Sequence, residues 1–427
     1  MWICCQIGAR EHYAVPRALH QQEMLAGLIT DWYAFGRQNR KQKAEITLTS
    51  DRRPLTSVIC RFVDRYVSSM IRSPSARAAH CEEIPDELVH AFPFRSLLWK
   101  WRVRRLAAQG RSHEAYLQTD AAFATAVARL KLPPHEVFFG YSYASLEMLA
   151  AEKKRGVITV LDQIDPGAVE FQLVAEEMAR FPELAGPPSE FPAAYYERNR
   201  REWELADRIV VNSEFCREAL VRQGVAPEKL FVMPLCYEAN AEKQKAESGD
   251  LQPSTTPLRV LFLGQVNVRK GIHYLMQAAK LLANEPVQFD VVGSIGILPG
   301  AVASAPRKMT FHGPVSRGGA AEWYRKADLF VLPTLSDGFA ITQLEAMSHG
   351  LPVVTTPCCG EVVSNGVDGF IVPPRDADAL ARLFLRYLSE PGLLKEQQKA
   401  ALVKAKQFTL DHLAANPLRL ESSLLKR

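Results

Sequence analysis

The stretch from Leu329 to Val354 leaves this chain few folds to choose from. It opens on Leu329-Phe330-Val331-Leu332, an uninterrupted apolar run of strand length closed by Pro333 and Ser336. A turn at Asp337-Gly338-Phe339 follows, then a helix expected from about Ala340 to His349, with Ile341, Leu344 and Met347 on its buried face. Gly350 supplies the helix stop, Pro352 forbids continuation, and Val353-Val354 begin a second apolar strand. A strand, a glycine turn, a short helix and a second strand thus follow one another in a short space.

The spacing also has chemical content. Free N–H groups and a partial positive charge at the start of a helix suit an anion, most naturally phosphate, so the amides of Gly338, Phe339 and Ala340 are candidate phosphate donors. Asp337 precedes the turn and Glu345 follows it. Carboxylates carry only acceptors, which suits the hydroxyls of a sugar and not its phosphates. A diphosphate held in the middle with hydroxyls gripped on either side implies a nucleotide-sugar site.

Length and composition bound the rest. At 427 residues the chain exceeds one ordinary core, so two domains are expected. A net charge of +5 is mild on such a chain; it fits an anionic ligand or an anionic membrane surface and calls for no nucleic acid. The cysteines (Cys4, Cys5, Cys60, Cys81, Cys216, Cys236, Cys358, Cys359) include two adjacent pairs and no C-x-x-C. That pattern points to reduced thiols of a cytosolic protein, with no zinc site and no disulfide framework. The first residues lack the basic region and apolar core of a signal peptide, and no apolar run reaches the ~18–20 residues of a membrane span. The expected location is therefore cytoplasmic, with peripheral contact at the inner membrane face left open.

In the first half, Trp2 to Ile7 reads as a strand and Ala14 to Ala26 as a helix. Gly8, Arg10 and His12 fall between them, at the carboxyl end of a strand where open parallel sheets bind ligands, and are candidates for an acceptor side. Residues 90–107 mix aromatics with Arg95, Lys100, Arg102, Arg104 and Arg105. Two readings stand: a segment lying on an anionic membrane, or a helix that packs its tryptophans inward and keeps its arginines in water, the second weighing more. Val137–Tyr141 is a short strand, Ser145–Arg155 a helix and Val157–Leu161 a buried strand that exits into Asp162.

From Glu238 to Pro257 the chain is polar and reads as a linker, after which the pattern restarts with the strand Leu258–Leu263, Gly264, and Arg269-Lys270-Gly271 opening a helix over Ile272–Leu282. A basic pair opposes the helix dipole there, so folding gives no reason for it. Two cations ~4 Å from a diphosphate are worth about 4 kcal/mol each at an effective dielectric near 20, before desolvation.

These motifs resemble a known family. The order acid-G-F, five residues, E-A-M-x-x-G-x-P-V-V is similar to the donor signature of retaining family 4 glycosyltransferases of the GT-B fold, with Asp337 where that family mostly has Glu. Ala206-Asp207-Arg208-Ile209-Val210-Val211-Asn212-Ser213, the Arg269-Lys270-Gly271 run and Asn365-Gly366-Val367-Asp368-Gly369 extend the likeness. It implies an α/β fold of two Rossmann-like domains with parallel sheets facing across a cleft: an acceptor domain over 1–240, a linker over 241–257, a nucleotide-sugar domain over 258–390, and C-terminal helices over 391–427 that cross back. It further implies a hexosyltransferase that retains configuration and needs neither metal nor cofactor. Arg269, Lys270 and the turn amides would hold the leaving diphosphate, Glu345 the ribose, and Asp337 the sugar; Gly264, Gly293 and Val315 would line the donor site. Asp162 stands where the family places a polar residue toward the sugar, and contact, base or helix cap remain open for it. The acceptor would be a saccharide, lipid or small molecule. Another GT-B enzyme, such as a nucleotide-sugar epimerase or a sugar-phosphate glycosyltransferase, and a non-catalytic GT-B subunit are the rival readings.

Overall fold

A computed structural model describes residues 1–33, 81, 83–187, 190–238 and 257–424. Cys60 and the expected linker, save Pro257, lie outside the described residues. The fold is α/β with two sheets, one of seven strands ordered β3-β2-β1-β4-β5-β6-β7 and one of six ordered β10-β9-β8-β11-β12-β13. In the first, β1 is Trp2–Gln6, β2 Leu25–Thr30, β3 Val89–Ala91, β4 Val137–Tyr141, β5 Ile158–Gln163, β6 Arg208–Val211 and β7 Leu230–Val232. In the second, β8 is Leu258–Leu263, β9 Val287–Val292, β10 Met309–Gly313, β11 Leu329–Leu332, β12 Val353–Thr355 and β13 Gly369–Ile371. Pairing is parallel from β3 through β5 and throughout the second sheet.

The chain divides into two compact units, one comprising Met1–Asp162, Pro192–Ile209 and Pro417–Arg427, the other Gln163–Phe191 and Val210–Asn416. In the first, Trp2, Phe138, Phe139 and Phe123 are wholly buried. The carboxylate of Glu202 accepts the N–H groups of Tyr143 and Ser145 at 2.6 and 2.8 Å and so fixes the loop that leaves β4. In the second, Phe262, Phe289, Phe330 and Phe384 fill the core around the sheet. There the buried carboxylate of Glu177 accepts from His273 Nε2 at 3.1 Å, Arg375 Nε at 2.8 Å and the Tyr274 hydroxyl.

Two expected elements shift. The helix expected over Ala14–Ala26 ends at Gln21, and Leu25–Thr30 is a buried strand, paired in register with β1 and β3. At Gly27 a Cβ would lie 3.1 Å from Ile3 Cδ1, a tight approach where β2 packs beside β1. The helix expected from Ala340 spans Thr342–Ser348, because Ala340 sits at φ +61, a left-handed conformation that no right-handed helix contains.

Candidate functional site

Both sheets place their first strand beside their fourth, and the chain leaves that pair toward opposite ends of the sheet. The crevice outside the carboxyl ends of two such strands is where open α/β sheets bind ligands. In the second unit the pair is β8 and β11, and the loops that follow them are Gly264–Gly271 and Pro333–Ile341.

Backbone contacts stitch these two loops together. Leu335 N–H donates to the Arg269 carbonyl at 2.8 Å, and the Thr334 hydroxyl donates to the same oxygen at 3.3 Å. Gly271 is left-handed at φ +71, and a Cβ on it would stand 1.9 Å from the Pro333 carbonyl oxygen. Gly293, at φ +142, lies so close to Gly264 that a Cβ would fall 1.7 Å from its carbonyl oxygen. Glycine at 271 and 293 is thus a matter of space as much as of torsion.

Four of the expected donor residues meet here. Arg269 Nη1 donates to the Ser336 carbonyl at 3.2 Å and reaches Glu170 Oε2 at 3.4 Å, an oxygen that also accepts from the Ser336 hydroxyl at 2.9 Å. Lys270 Nζ forms an ion pair with Asp337 Oδ2. Burial first, and the neighbouring Arg269 second, push the Lys270 ammonium down to about 7, against the opposing pull of Cys359 and Glu170. Gly338 packs where a Cβ would meet the Ile164 carbonyl oxygen at 2.3 Å, and its own carbonyl accepts from the Ser213 hydroxyl at 2.6 Å. Among the described residues, the N–H groups of Gly338, Phe339 and Ala340 meet no acceptor. They are loop amides and not helix amides, since the helix begins at Thr342. The buried Phe339 ring and the amide of Gln343, which donates to the Phe339 carbonyl at 2.9 Å, hold this loop in place.

Glu345 lies in the first turn of the helix, where its Oε2 accepts from the Tyr324 hydroxyl at 2.9 Å. The Tyr324 ring stacks on His349, with centroids 5.1 Å apart and planes 23° apart. Val315, on the loop after β10, is 37% exposed. Glu170 and Tyr324 carry no local signal in the sequence: Glu170 comes from a distant helix, Ala168–Arg180, and Tyr324 from the helix Arg317–Lys326.

The first unit has the same crevice between β1 and β4. Gly8 donates its N–H to Asp31 Oδ1 at 2.7 Å. The turn after it holds Glu11, His12 and Tyr13 at φ +49, +53 and +60, three consecutive left-handed residues none of which is glycine. Each costs about 1–2 kcal/mol, and strain of this kind collects at functional sites. The turn sets the Arg10 guanidinium 5.8 Å from the Tyr141 ring centroid. Asp162, buried at the end of β5, has its carboxyl pushed up by burial and by Glu11, with Arg10 opposing. Glu11 itself is raised to about 6 by burial, again against Arg10. Asp162 does not cap the following helix; Asp165 accepts from Gly167 N–H at 2.8 Å instead. His12 is solvent-exposed. Glu11 was missed by the sequence reading, although it stands between two residues that were named.

Residues 257–390 match the family model described as Glycosyl transferases group 1. That segment belongs to the group 1 glycosyl transferases. Among curated proteins, the chain is similar to a D-inositol 3-phosphate glycosyltransferase of Streptomyces bingchenggensis, 28% identical over 49% of this chain and 51% of that protein. A D-inositol 3-phosphate glycosyltransferase of Xylanimonas cellulosilytica is 30% identical over 46% and 49%. The chain spans about half the length of the curated relatives it matches. Among solved structures, sucrose-phosphate synthase from Thermosynechococcus elongatus aligns with a TM-score of 0.58 at 18% identity, over 100% of this chain and 99% of that one. HepE of Anabaena, solved with UDP, aligns with a TM-score of 0.57 at 15% identity over 99% and 100%. These likenesses show the GT-B fold for the chain.

Proposed function

We propose that the protein is a retaining glycosyltransferase that moves a hexose from a nucleoside-diphosphate sugar to a hydroxyl of a saccharide, lipid or small-molecule acceptor. One observation carries this reading: the group 1 segment brings Arg269 and Lys270 together with three unpartnered loop amides at a sheet switch point. The donor pyrophosphate takes the Lys270 ammonium from Asp337, and Asp337 is then free to accept from hydroxyls of the hexose. Glu345, oriented by Tyr324, accepts from the ribose. As the bond between the anomeric carbon and the phosphate oxygen breaks, charge grows on the departing phosphate, where Lys270, Arg269 and the amides of Gly338, Phe339 and Ala340 stabilise it. The acceptor oxygen bonds to the same face of the anomeric carbon, and its proton passes to the leaving phosphate, so the step calls for no protein base. The positive charge comes from side chains, and the reading invokes no metal.

On the acceptor side, among the described residues, Glu11 and Asp162 lie within electrostatic reach of Arg10 in the first unit. Carboxyls there suit the hydroxyls of a polyol acceptor. The test is a transfer assay with Lys270→Ala: folded protein with turnover reduced about 100–1,000-fold is expected. Turnover equal to wild type would contradict the reading.

A further inference from the structure

The helix Pro93–Ala107 carries five basic residues, Arg95, Lys100, Arg102, Arg104 and Arg105, and no acidic one. Its two faces differ. On the inner face Ser96 is buried, and Trp99 packs edge-on against Phe92 and Phe123, with centroids 6.1 and 5.8 Å away. On the outer face Leu98 is 68% exposed and Trp101 59% exposed, and Arg102, Arg104 and Arg105 are exposed with them. Leu98, Trp101, Arg102 and Arg105 recur at i, i+3, i+4 and i+7, which places them in one stripe. The Arg105 guanidinium lies 5.4 Å from the Trp101 ring centroid. Among the described residues, Lys100, Arg102, Arg104 and Arg105 meet no carboxylate in an ion pair.

We infer that this stripe docks the protein on an anionic lipid bilayer, with Leu98 and Trp101 entering the boundary between headgroups and acyl chains and Arg102, Arg104 and Arg105 lying against lipid phosphates. The charge argument selects a polyanionic partner: a row of guanidiniums that meet no carboxylate among the described residues. The apolar argument selects among polyanions. A leucine beside a tryptophan at the crest of a helix has hydrocarbon to enter in a bilayer, whereas a nucleic acid offers stacking to the indole and nothing comparable to the leucine. The contact is peripheral, since no helix among the described residues is long and apolar enough to cross a membrane. The inference is independent of the proposed reaction, because none of these residues belongs to the donor or acceptor crevices.

The experiment is flotation of the full chain with vesicles of phosphatidylcholine alone, or of phosphatidylcholine mixed with phosphatidylglycerol. Three proteins are compared: wild type, Leu98→Ser/Trp101→Ser, and Arg102→Gln/Arg104→Gln/Arg105→Gln. All changes are at exposed positions, so the thermal midpoint of each variant should match wild type. Each guanidinium near an anionic surface contributes about fivefold in partitioning, so the triple variant should bind on the order of 100-fold more weakly. Wild type should float only with the anionic vesicles, less so as salt is raised, and both variants should stay behind. A blue shift of tryptophan emission on vesicle addition, absent in Trp101→Phe, would place that indole in the bilayer. Flotation equal on both vesicle types, no flotation at all, or binding to a single-stranded RNA oligonucleotide in place of vesicles would each overturn the inference.

Discussion

Lys270 offers the sharpest test of the donor site, because its charge depends on what occupies the crevice. The residue is 9% exposed, and burial together with Arg269 lowers its ammonium to about 7. A pyrophosphate diester brings two negative charges to the same place and restores Lys270 toward its ordinary value. Donor binding must then take up a proton whenever the free protein holds Lys270 neutral. Since the bound form is the protonated one and the free value is the lower one, affinity is undiminished below about pH 7. Above it, affinity falls about tenfold per pH unit, or about 1.4 kcal/mol. Proton uptake should be about one-tenth of a proton per donor at pH 6 and about nine-tenths at pH 8.

Calorimetric titration with UDP-glucose in buffers of different ionisation enthalpy measures this uptake directly, because the diester does not itself titrate between those values. If UDP-glucose does not bind, the nucleoside-diphosphate hexose that most raises the thermal midpoint replaces it. Lys270→Arg keeps its charge at every pH and should bind without uptake. The reasoning is refuted if wild type takes up almost no proton at pH 8, for that would mean Asp337 keeps Lys270 charged before the donor arrives.

Other outcomes follow from single contacts. Glu345→Ala and Tyr324→Phe should each weaken donor binding about tenfold or more, and the double variant by much less than the product, since both remove the one 2.9 Å hydrogen bond; titration of the three variants checks this. Gly271→Ala forces a Cβ toward the Pro333 carbonyl in a left-handed conformation, and should cost about 3 kcal/mol, read as a lowered thermal midpoint together with lost donor binding. Burial alone would raise the Glu177 carboxyl, but hydrogen bonds from Tyr274, His273 and Arg375 outweigh it and hold it below the ordinary range. Its contribution is therefore full above the pKa of an unfolded glutamate and is lost as pH falls through the lower folded value. Glu177→Gln should cost about 3 kcal/mol at neutral pH and flatten the acid limb of the stability curve followed by urea unfolding.

What the sequence discloses about this protein tracks the range of the interactions involved. The strands β8 and β11 are legible because each is a largely apolar run closed by glycine or proline, a signal written within a few residues. Arg269, Lys270 and Asp337 are legible as charges that folding does not require. That Lys270 meets Asp337 is set by the strand order, which brings β8 beside β11, and no local pattern carries it. Glu170 is invisible for the same reason. Leu25–Thr30 misleads because a short buried strand containing a glycine has the same composition as a helix end. In the Pro93–Ala107 helix, composition does not separate the two tryptophans: Trp99 turns inward and Trp101 outward, a separation that only the helix phase decides.

The left-handed turn after β1 makes the converse point. Nothing in Arg10-Glu11-His12-Tyr13 asks for positive φ, and glycine would adopt it with less strain. The strain is sustained by what surrounds it, with Gly8 tied to Asp31 and Arg10 over Tyr141. Its effect is to bring the side chains of Arg10 and Glu11 into electrostatic reach of Asp162 at the end of β5. Two sheets of the same strand order thus present the same crevice with different chemistry: in the second unit Arg269 and Lys270, each against a carboxylate, beside loop amides that meet no acceptor among the described residues, and in the first Asp162 and Glu11 around Arg10. The proposed function therefore assigns the donor pyrophosphate to the second unit and the acceptor hydroxyl to the first. Exchanging Glu11 for Gln should then leave UDP-glucose affinity untouched while changing transfer to neutral and phosphorylated polyols in opposite directions; a loss of donor affinity in that variant would undo the assignment.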